Sequence, residues 1–378
     1  MKKRIEYIDY IRGFIMFLVV FTHTLPHFTG PLEKSFIYPI VNPLRMPMFF
    51  MISGFVNYSI VTADSIKSVL IKLKKKAIAL LIPFFVVGLS YVLTSHIFHN
   101  WDIPVNLLKV WLTPATMWGY WFLPVLFAIT IITSFIGLVL KSISGYSSFV
   151  SKNTDLFFVI TFILTPFVLK VIAHYTFLHD IGCVFFLTNF IHFYFFGIFI
   201  KRFSKMESFL SSTLVNTVAF IIMIVLFFYT QIMNLDISNQ NIIFQTFFSY
   251  VCVIFFYGMF KRLDTQSRIG RLFQSLGNNT LEIYIFHFFF LLGLEYINIQ
   301  TQEEVIFNSF IISFTTIVIV SSINILFCMN IGNFLKKNPY LNFIILGRIP
   351  KRVIEGKNIV DKSIRISHYK TKITLIDR

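Results

Sequence analysis

The sequence predicts an all-α, polytopic integral membrane protein, built as a helical bundle of about ten transmembrane helices. Of its 378 residues, 56% are hydrophobic and only 13% are charged, whereas soluble domains average about 25% charged residues. Its mean hydropathy is +0.75, and phenylalanine alone accounts for 49 residues. Apolar segments long enough to cross a bilayer recur along the chain. Each should be helical, because a span must satisfy its own backbone hydrogen bonds.

Taken in order, the predicted spans are separated by short polar connections. They lie near residues 7–25, 42–62, 77–98, 119–140, 154–172, 182–200, 212–232, 241–260, 278–298 and 305–328. The first is interpreted as a span and not as a removed signal peptide, because no small-residue cleavage site follows it. Residues 1–330 are therefore predicted to form one transmembrane domain. Residues 331–378 form a basic tail that is expected to lie on the cytoplasmic leaflet.

Lysine and arginine are concentrated in alternate connections. Basic clusters occur at residues 2–4, 67–76, 201–205 and 261–271 and in the tail, while the intervening connections carry few. By the positive-inside rule, this pattern predicts that the N- and C-termini are both cytoplasmic. The net charge of +16 is explained by this topology and by attraction to anionic membrane lipids, so no nucleic acid partner is expected.

Asp9, Arg12 and His23 share one face of the first predicted helix. Eleven steps of about 100° bring Arg12 and His23 to nearly the same angle, roughly 16 Å apart along the axis. Asp9 precedes Arg12 by three residues, which is a spacing for an ion pair. Histidine has an ordinary pKa of about 6.5 and can accept and return a proton near neutral pH. A snorkelling arginine and an interfacial histidine are the alternative interpretations, but their alignment favours a functional role.

Three further segments supply candidate substrate-binding residues. Arg45 opens the second span, where it is placed to bind an anionic substrate or a lipid headgroup. Trp121 lies in a short aromatic stretch, for which a membrane-interface belt is the simpler explanation. Tyr284 and His287 are three residues apart on one face of the ninth span. An intramembrane histidine beside a tyrosine is a functional candidate, with a helix–helix hydrogen bond as the alternative.

Signatures of several other enzyme classes are absent from the sequence. It contains no Walker A loop, no HExxH zinc spacing and no GxSxG nucleophile elbow. No metal site is expected.

Five motifs follow one another along the chain: residues 9–13 with His23, 46–55, 121–124, 195–197 and 277–287. In this order they resemble the motifs of the acyltransferase-3 family of bacterial integral-membrane acyltransferases, including its fucose 4-O-acetylase-like and intercellular adhesion protein C types. The resemblance covers about residues 5 to 330. In the fucose branch a histidine often precedes the Met-Pro pair, and here that position is Arg45.

The resemblance implies an O-acetyltransferase of the bacterial plasma membrane. It would move an acyl group from cytoplasmic acyl-CoA, expected to be acetyl-CoA, to a hydroxyl of a cell-envelope polysaccharide or lipid-linked sugar. His23 is the expected base, or the carrier of the acyl group in a relay, and Arg12 with Asp9 is expected to hold the donor. The expected substrate-binding residues are Arg45, Trp121, Tyr284 and His287. Acyl-CoA is a substrate in this scheme, and no bound cofactor is expected.

Transport is the alternative function. A bundle of ten hydrophobic spans around a polar path would also suit an exporter or flippase of a surface polysaccharide. An exporter should tolerate the loss of a single base and leave the chemistry of the polymer unchanged.

Overall fold

The computed structural model describes residues 5–29, 38–63, 65–99, 119–176, 182–232, 242–301 and 310–349. Within these ranges the regular structure is helical and contains no strand, which confirms the all-α class. The helices, numbered here in chain order, are α1 Glu6–Thr24, α2 Pro26–Thr29, α3 Tyr38–Val61, α4 Ile66–His99, α5 Phe122–Tyr146, α6 Ser148–Lys152, α7 Thr154–His174, α8 Gly182–Arg202, α9 Ser204–Leu210, α10 Thr213–Ile232, α11 Ile242–Arg262, α12 Arg268–Asn278, α13 Thr280–Thr301, α14 Phe310–Lys337 and α15 Pro339–Leu346.

Nine helices of the described chain are long and apolar enough to cross a membrane. They correspond to nine of the ten predicted spans, so the multi-pass bundle is confirmed. The remaining predicted span, residues 278–298, is the helix α13, which is not among those nine. The prediction started the third span at residue 77, but α4 begins at Ile66 and includes the lysine-rich stretch. Lysine is a good helix former, so the basic cluster continues the helix instead of interrupting it.

Helices α3 and α8 pack backbone to backbone through one glycine from each. A Cβ atom at Gly54 would lie 1.9 Å from the carbonyl oxygen of Tyr194, and one at Gly197 would lie 1.8 Å from that of Met51. The absence of a side chain at Gly54 and Gly197 therefore allows α3 and α8 to pack closely.

A second glycine pair joins α1 to α12 and positions the polar face of α1. A Cβ atom at Gly13 would lie 1.8 Å from the carbonyl oxygen of Phe273, and one at Gly277 would lie 1.9 Å from that of Asp9. Helix α1 also packs against α3, α11, α13 and α14 and is central to the bundle. Because α13 begins at Thr280, directly after α12, this crossing brings the start of α13 beside Arg12.

The end of the described chain packs back onto the bundle. Helix α14 runs on to Lys337, through the predicted domain boundary at residue 330, and α15 packs against α4. The carboxylate of Glu282, at the start of α13, is fully buried and pairs with Lys336 at 2.7 Å and Arg348 at 2.6 Å. Most of the predicted tail, residues 350–378, lies outside the described ranges.

Candidate active site

Arg12 bridges α1 and the first turn of α13. Its Nη2 donates a 2.7 Å hydrogen bond to Oγ1 of Thr280. The expected ion pair with Asp9 is present, with 3.5 Å between Nη1 and Oδ1. Asp9 is buried, and the Arg12 side chain keeps 34% of its surface exposed. Because the carboxylate sits behind the guanidinium, the arginine is held between α1 and α13 and remains reachable by a ligand.

A cavity of about 180 Å³ opens beside Arg12. Its wall contains a second cation, Lys76 of α4, and neutral polar side chains from two other helices, α3 and α13. None of the described residues that line it is acidic. The lining residues are Arg12, Met16, Phe49, Ile52, Ser53, Val56, Asn57, Lys76, Leu80, Phe122, Leu123, Leu126, Thr280, Leu281 and Tyr284.

His23 and His287 face each other further along the same two helices. Their ring centroids are 5.4 Å apart, and the ring of Phe288 lies 4.9 Å from that of His23. Arg12 meets Thr280, and His23 meets His287, so α1 and α13 run in the same direction and present paired side chains at two levels. The prediction that Arg12 and His23 share one face of α1 is confirmed, since both contact α13.

The hydrogen bonds of His287 fix its neutral tautomer. Its Nδ1 lies 2.7 Å from the carbonyl oxygen of Tyr284 and 3.1 Å from that of Ile283. A carbonyl oxygen only accepts, so Nδ1 carries the proton and Nε2 of the neutral ring has a free lone pair. His287 is fully buried, and among the described residues its Nε2 has no hydrogen-bond partner. Among the described residues, an unused hydrogen-bond acceptor therefore lies beside the second imidazole, that of His23.

Arg45 reaches α1 one residue before His23. Its Nη1 donates to Oγ1 of Thr22 at 2.5 Å. Its Nε is buried and has no hydrogen-bond partner among the described residues. A positive charge with a remaining N–H donor therefore lies near the histidine pair.

Tyr284 ties α13 to the segment before α5. Its hydroxyl donates to the carbonyl oxygen of Gly119 at 2.7 Å, and the hydroxyl of Tyr120 donates to that of Ile285 at 2.9 Å. Tyr284 also lines the cavity beside Arg12. It therefore forms part of the wall between the arginine and the histidines.

Trp121 belongs to a separate aromatic stack. Its ring lies over Phe186 at 4.0 Å between centroids and also stacks on Phe190 and Phe50. It does not line the cavity beside Arg12. The structure therefore gathers the other predicted site residues along α1, α3 and α13 and places Trp121 against α8.

A larger cavity, of about 570 Å³, lies between α3, α7, α8 and α11. His192 borders it, with Nδ1 3.0 Å from the hydroxyl of Tyr250. It shares no lining residue with the smaller cavity, and none of the predicted site residues lines it.

Sequence reasoning missed two residues of the site. Thr280 lies in the motif at residues 277–287, but its pairing with Arg12 depends on the crossing of α1 and α12. Lys76 is the last of a run of lysines, and the positive-inside rule explains such a run without assigning any one of them to a cavity.

Comparison with known protein families finds a match over most of the chain. A family model described as an acyltransferase domain, acyltransferase-3, matches residues 5–331. Neither a curated protein nor a solved structure matches the chain.

Proposed function

The chain belongs to the acyltransferase-3 family, and from this membership we propose that it is a membrane O-acetyltransferase. It takes the acetyl group from cytoplasmic acetyl-CoA and transfers it to a hydroxyl of a cell-envelope glycan or lipid-linked sugar. The membrane-spanning helices and the family together indicate a multi-pass membrane acyltransferase. The donor, the acceptor and the site residues are the proposal.

The observation that carries the proposal is the two-level pairing of α1 with α13. Arg12 and Thr280 form one level, and His23 and His287 form the other. With both termini in the cytoplasm, the arginine level faces the cytoplasm and the histidine level lies deeper along the helices. A donor that enters from the cytoplasm would meet the cation first and would place its acyl end near the imidazoles.

His23 acts as the base in the proposed reaction. It takes the proton of the acceptor hydroxyl while the hydroxyl oxygen attacks the thioester carbonyl carbon. The new C–O bond forms, the C–S bond breaks, and the departing CoA thiolate takes the proton back. The charge of Arg45 stabilises the oxyanion that develops on the carbonyl oxygen.

An acyl-histidine relay uses the same groups in two steps. An imidazole nitrogen of His23 attacks the thioester, and CoA leaves as its thiol. The acceptor hydroxyl then attacks the acyl-imidazole and leaves its proton on the ring. Both routes place His23 at the reacting carbon, so both require it.

The test is the O-acetyl content of the surface polysaccharide in cells that lack the gene, complemented with wild type, His23→Ala or His174→Ala. His174 lies on the exposed end of α7 and serves as a matched histidine control. NMR reports acetylation, and immunoblotting reports the protein level. Acetylation restored by wild type and by His174→Ala, but not by His23→Ala, supports the proposal.

Two outcomes contradict the proposal. Normal acetylation with His23→Ala would remove the base from the mechanism. Unchanged acetylation in the deletion cells, together with polymer retained inside them, would show that the protein is an exporter.

A further inference from the structure

The cavity beside Arg12 has an unbalanced charge. Arg12 and Lys76 both line it, from α1 and α4. Asp9 is the carboxylate next to Arg12, and it stands 3.5 Å from the guanidinium without lining the cavity. Within the described ranges Lys76 has neither a hydrogen bond nor an ion pair. The charge of Lys76 is therefore not balanced by any carboxylate of the described residues.

Two like charges beside one small cavity repel each other, most strongly where water is scarce. Such an arrangement is costly inside a membrane protein, and charges retained there usually face a ligand or another charge. An anion in the cavity would relieve the repulsion and would contact both side chains. The hydroxyl and amide groups of Ser53 and Asn57 in the wall are further polar contacts for it.

The neighbouring lysines do not share this position. Lys72 donates to the backbone carbonyl of Ser59 at 2.6 Å, and Lys74 and Lys75 are exposed. Lys76 is only half-exposed and turns to the cavity. Among the lysines at positions 72, 74, 75 and 76, Lys76 is therefore the one that lines the cavity.

We propose that Lys76 and Arg12 together bind the diphosphate of the acyl-CoA donor. This inference rests on the proposed function and names the part of the donor that the cavity holds. Phosphate oxygens make strong, charge-assisted hydrogen bonds with lysine and arginine.

The spacing of the site selects the diphosphate over the other phosphate of CoA. Arg12 and His23 are roughly 16 Å apart along α1. The pantetheine arm, which joins the diphosphate to the thioester, has the length of about four extended residues, roughly 14 Å. A diphosphate held at Arg12 and Lys76 therefore delivers the thioester to the histidine level.

The test measures CoA binding by purified protein in nanodiscs of phosphatidylcholine. The variants are wild type, Lys76→Gln, the charge-retaining Lys76→Arg, and the exposed neighbour Lys75→Gln. The probes are CoA, dephospho-CoA, which keeps the diphosphate, and pantetheine, which has no phosphate. A second set of nanodiscs contains phosphatidylglycerol, because a lipid headgroup offers the same phosphate chemistry.

Lys76→Gln should weaken the binding of CoA and of dephospho-CoA about tenfold, the usual cost of one hydrogen bond to a charged group. It should leave the binding of pantetheine unchanged. Lys76→Arg and Lys75→Gln should bind CoA like wild type. Retained CoA affinity in Lys76→Arg also shows that the position tolerates substitution without loss of the fold.

Three outcomes overturn the inference. Unchanged CoA affinity in Lys76→Gln, while wild type binds CoA, would reject the diphosphate site and leave the proposed function standing. An effect of Lys76→Gln that needs phosphatidylglycerol would assign the cavity to a lipid headgroup. Failure of wild type to bind CoA would reject the proposed donor as well.

Discussion

Replacing Gly277 with alanine tests whether the crossing of α1 and α12 positions Arg12. A Cβ atom at this site would lie 1.9 Å from the carbonyl oxygen of Asp9 and 2.7 Å from its carbonyl carbon. Both atoms belong to the backbone, so no side-chain rotation relieves the contact. The two helices must move apart.

The size of the movement follows from the contact distance. Ordinary van der Waals contact begins at 3.4 Å, which exceeds 1.9 Å by about 1.5 Å. Thr280 begins the next helix three residues later, so a similar displacement would lengthen its 2.7 Å bond from Arg12 to about 4 Å, beyond hydrogen-bonding range. Overpacking of this kind costs about 1–3 kcal/mol of stability.

The assay compares the Tm and the rate of acetyl transfer for wild type, Gly277→Ala and Gly145→Ala in detergent. Gly145 lies near the end of α5 with no atom within 4 Å of its Cβ position, so alanine there should be neutral or slightly stabilising. We expect Gly277→Ala alone to lower both the Tm and the rate. Wild-type values of both would refute the packing argument, and a lower Tm with an unchanged rate would show that the crossing does not position Arg12.

Three further substitutions probe the two levels of the site. Thr280→Val removes the acceptor of the Arg12 hydrogen bond, so the KM for acetyl-CoA, measured by steady-state kinetics, should rise about tenfold. Thr280→Ser keeps the hydroxyl and should have the wild-type KM. An unchanged KM in Thr280→Val would exclude the bond from donor binding. His287→Ala should lower kcat about 10²–10⁴-fold. If the two imidazoles act as a unit, the double variant with His23→Ala should have the same kcat as His287→Ala. A wild-type kcat in His287→Ala would limit His287 to a packing role. Phe288→Ala opens the histidine level to water, so purified protein should release CoA from acetyl-CoA faster without an acceptor; an unchanged release rate would contradict that role.

The sequence predicts the part of the site that depends on one helix. The period of α1 places Arg12 and His23 on one face, and the three-residue spacing places Asp9 beside Arg12; contacts of both Arg12 and His23 with α13 agree with this. The boundaries of the apolar segments likewise predict nearly all of the spans. These features follow from local geometry and hydrophobicity, which a single sequence records.

Contacts between helices do not follow from local sequence. Gly13 and Gly277 fix the height and angle at which α1 crosses α12. Because α13 follows α12 directly, this crossing also determines which residues of α13 contact α1. The local sequence around Trp121 is compatible with a binding site and with an aromatic packing stack. The position of α8, which brings Phe186 against Trp121, decides for the stack. The same holds for Lys76, because rotation of α4 about its axis decides which lysine meets the cavity.

The two levels of the site differ in their access to water, and this difference suits the proposed chemistry. At the first level the Arg12 side chain is 34% exposed, so the charged part of a donor can bind without full desolvation. At the second level His287 is fully buried and the ring of Phe288 lies against both imidazoles. A thioester bound at that level would be shielded from water, and His287 lies beside His23, the proposed base. In the proposed mechanism, this pair of parallel helices separates the binding of the charged donor from the transfer of its acyl group.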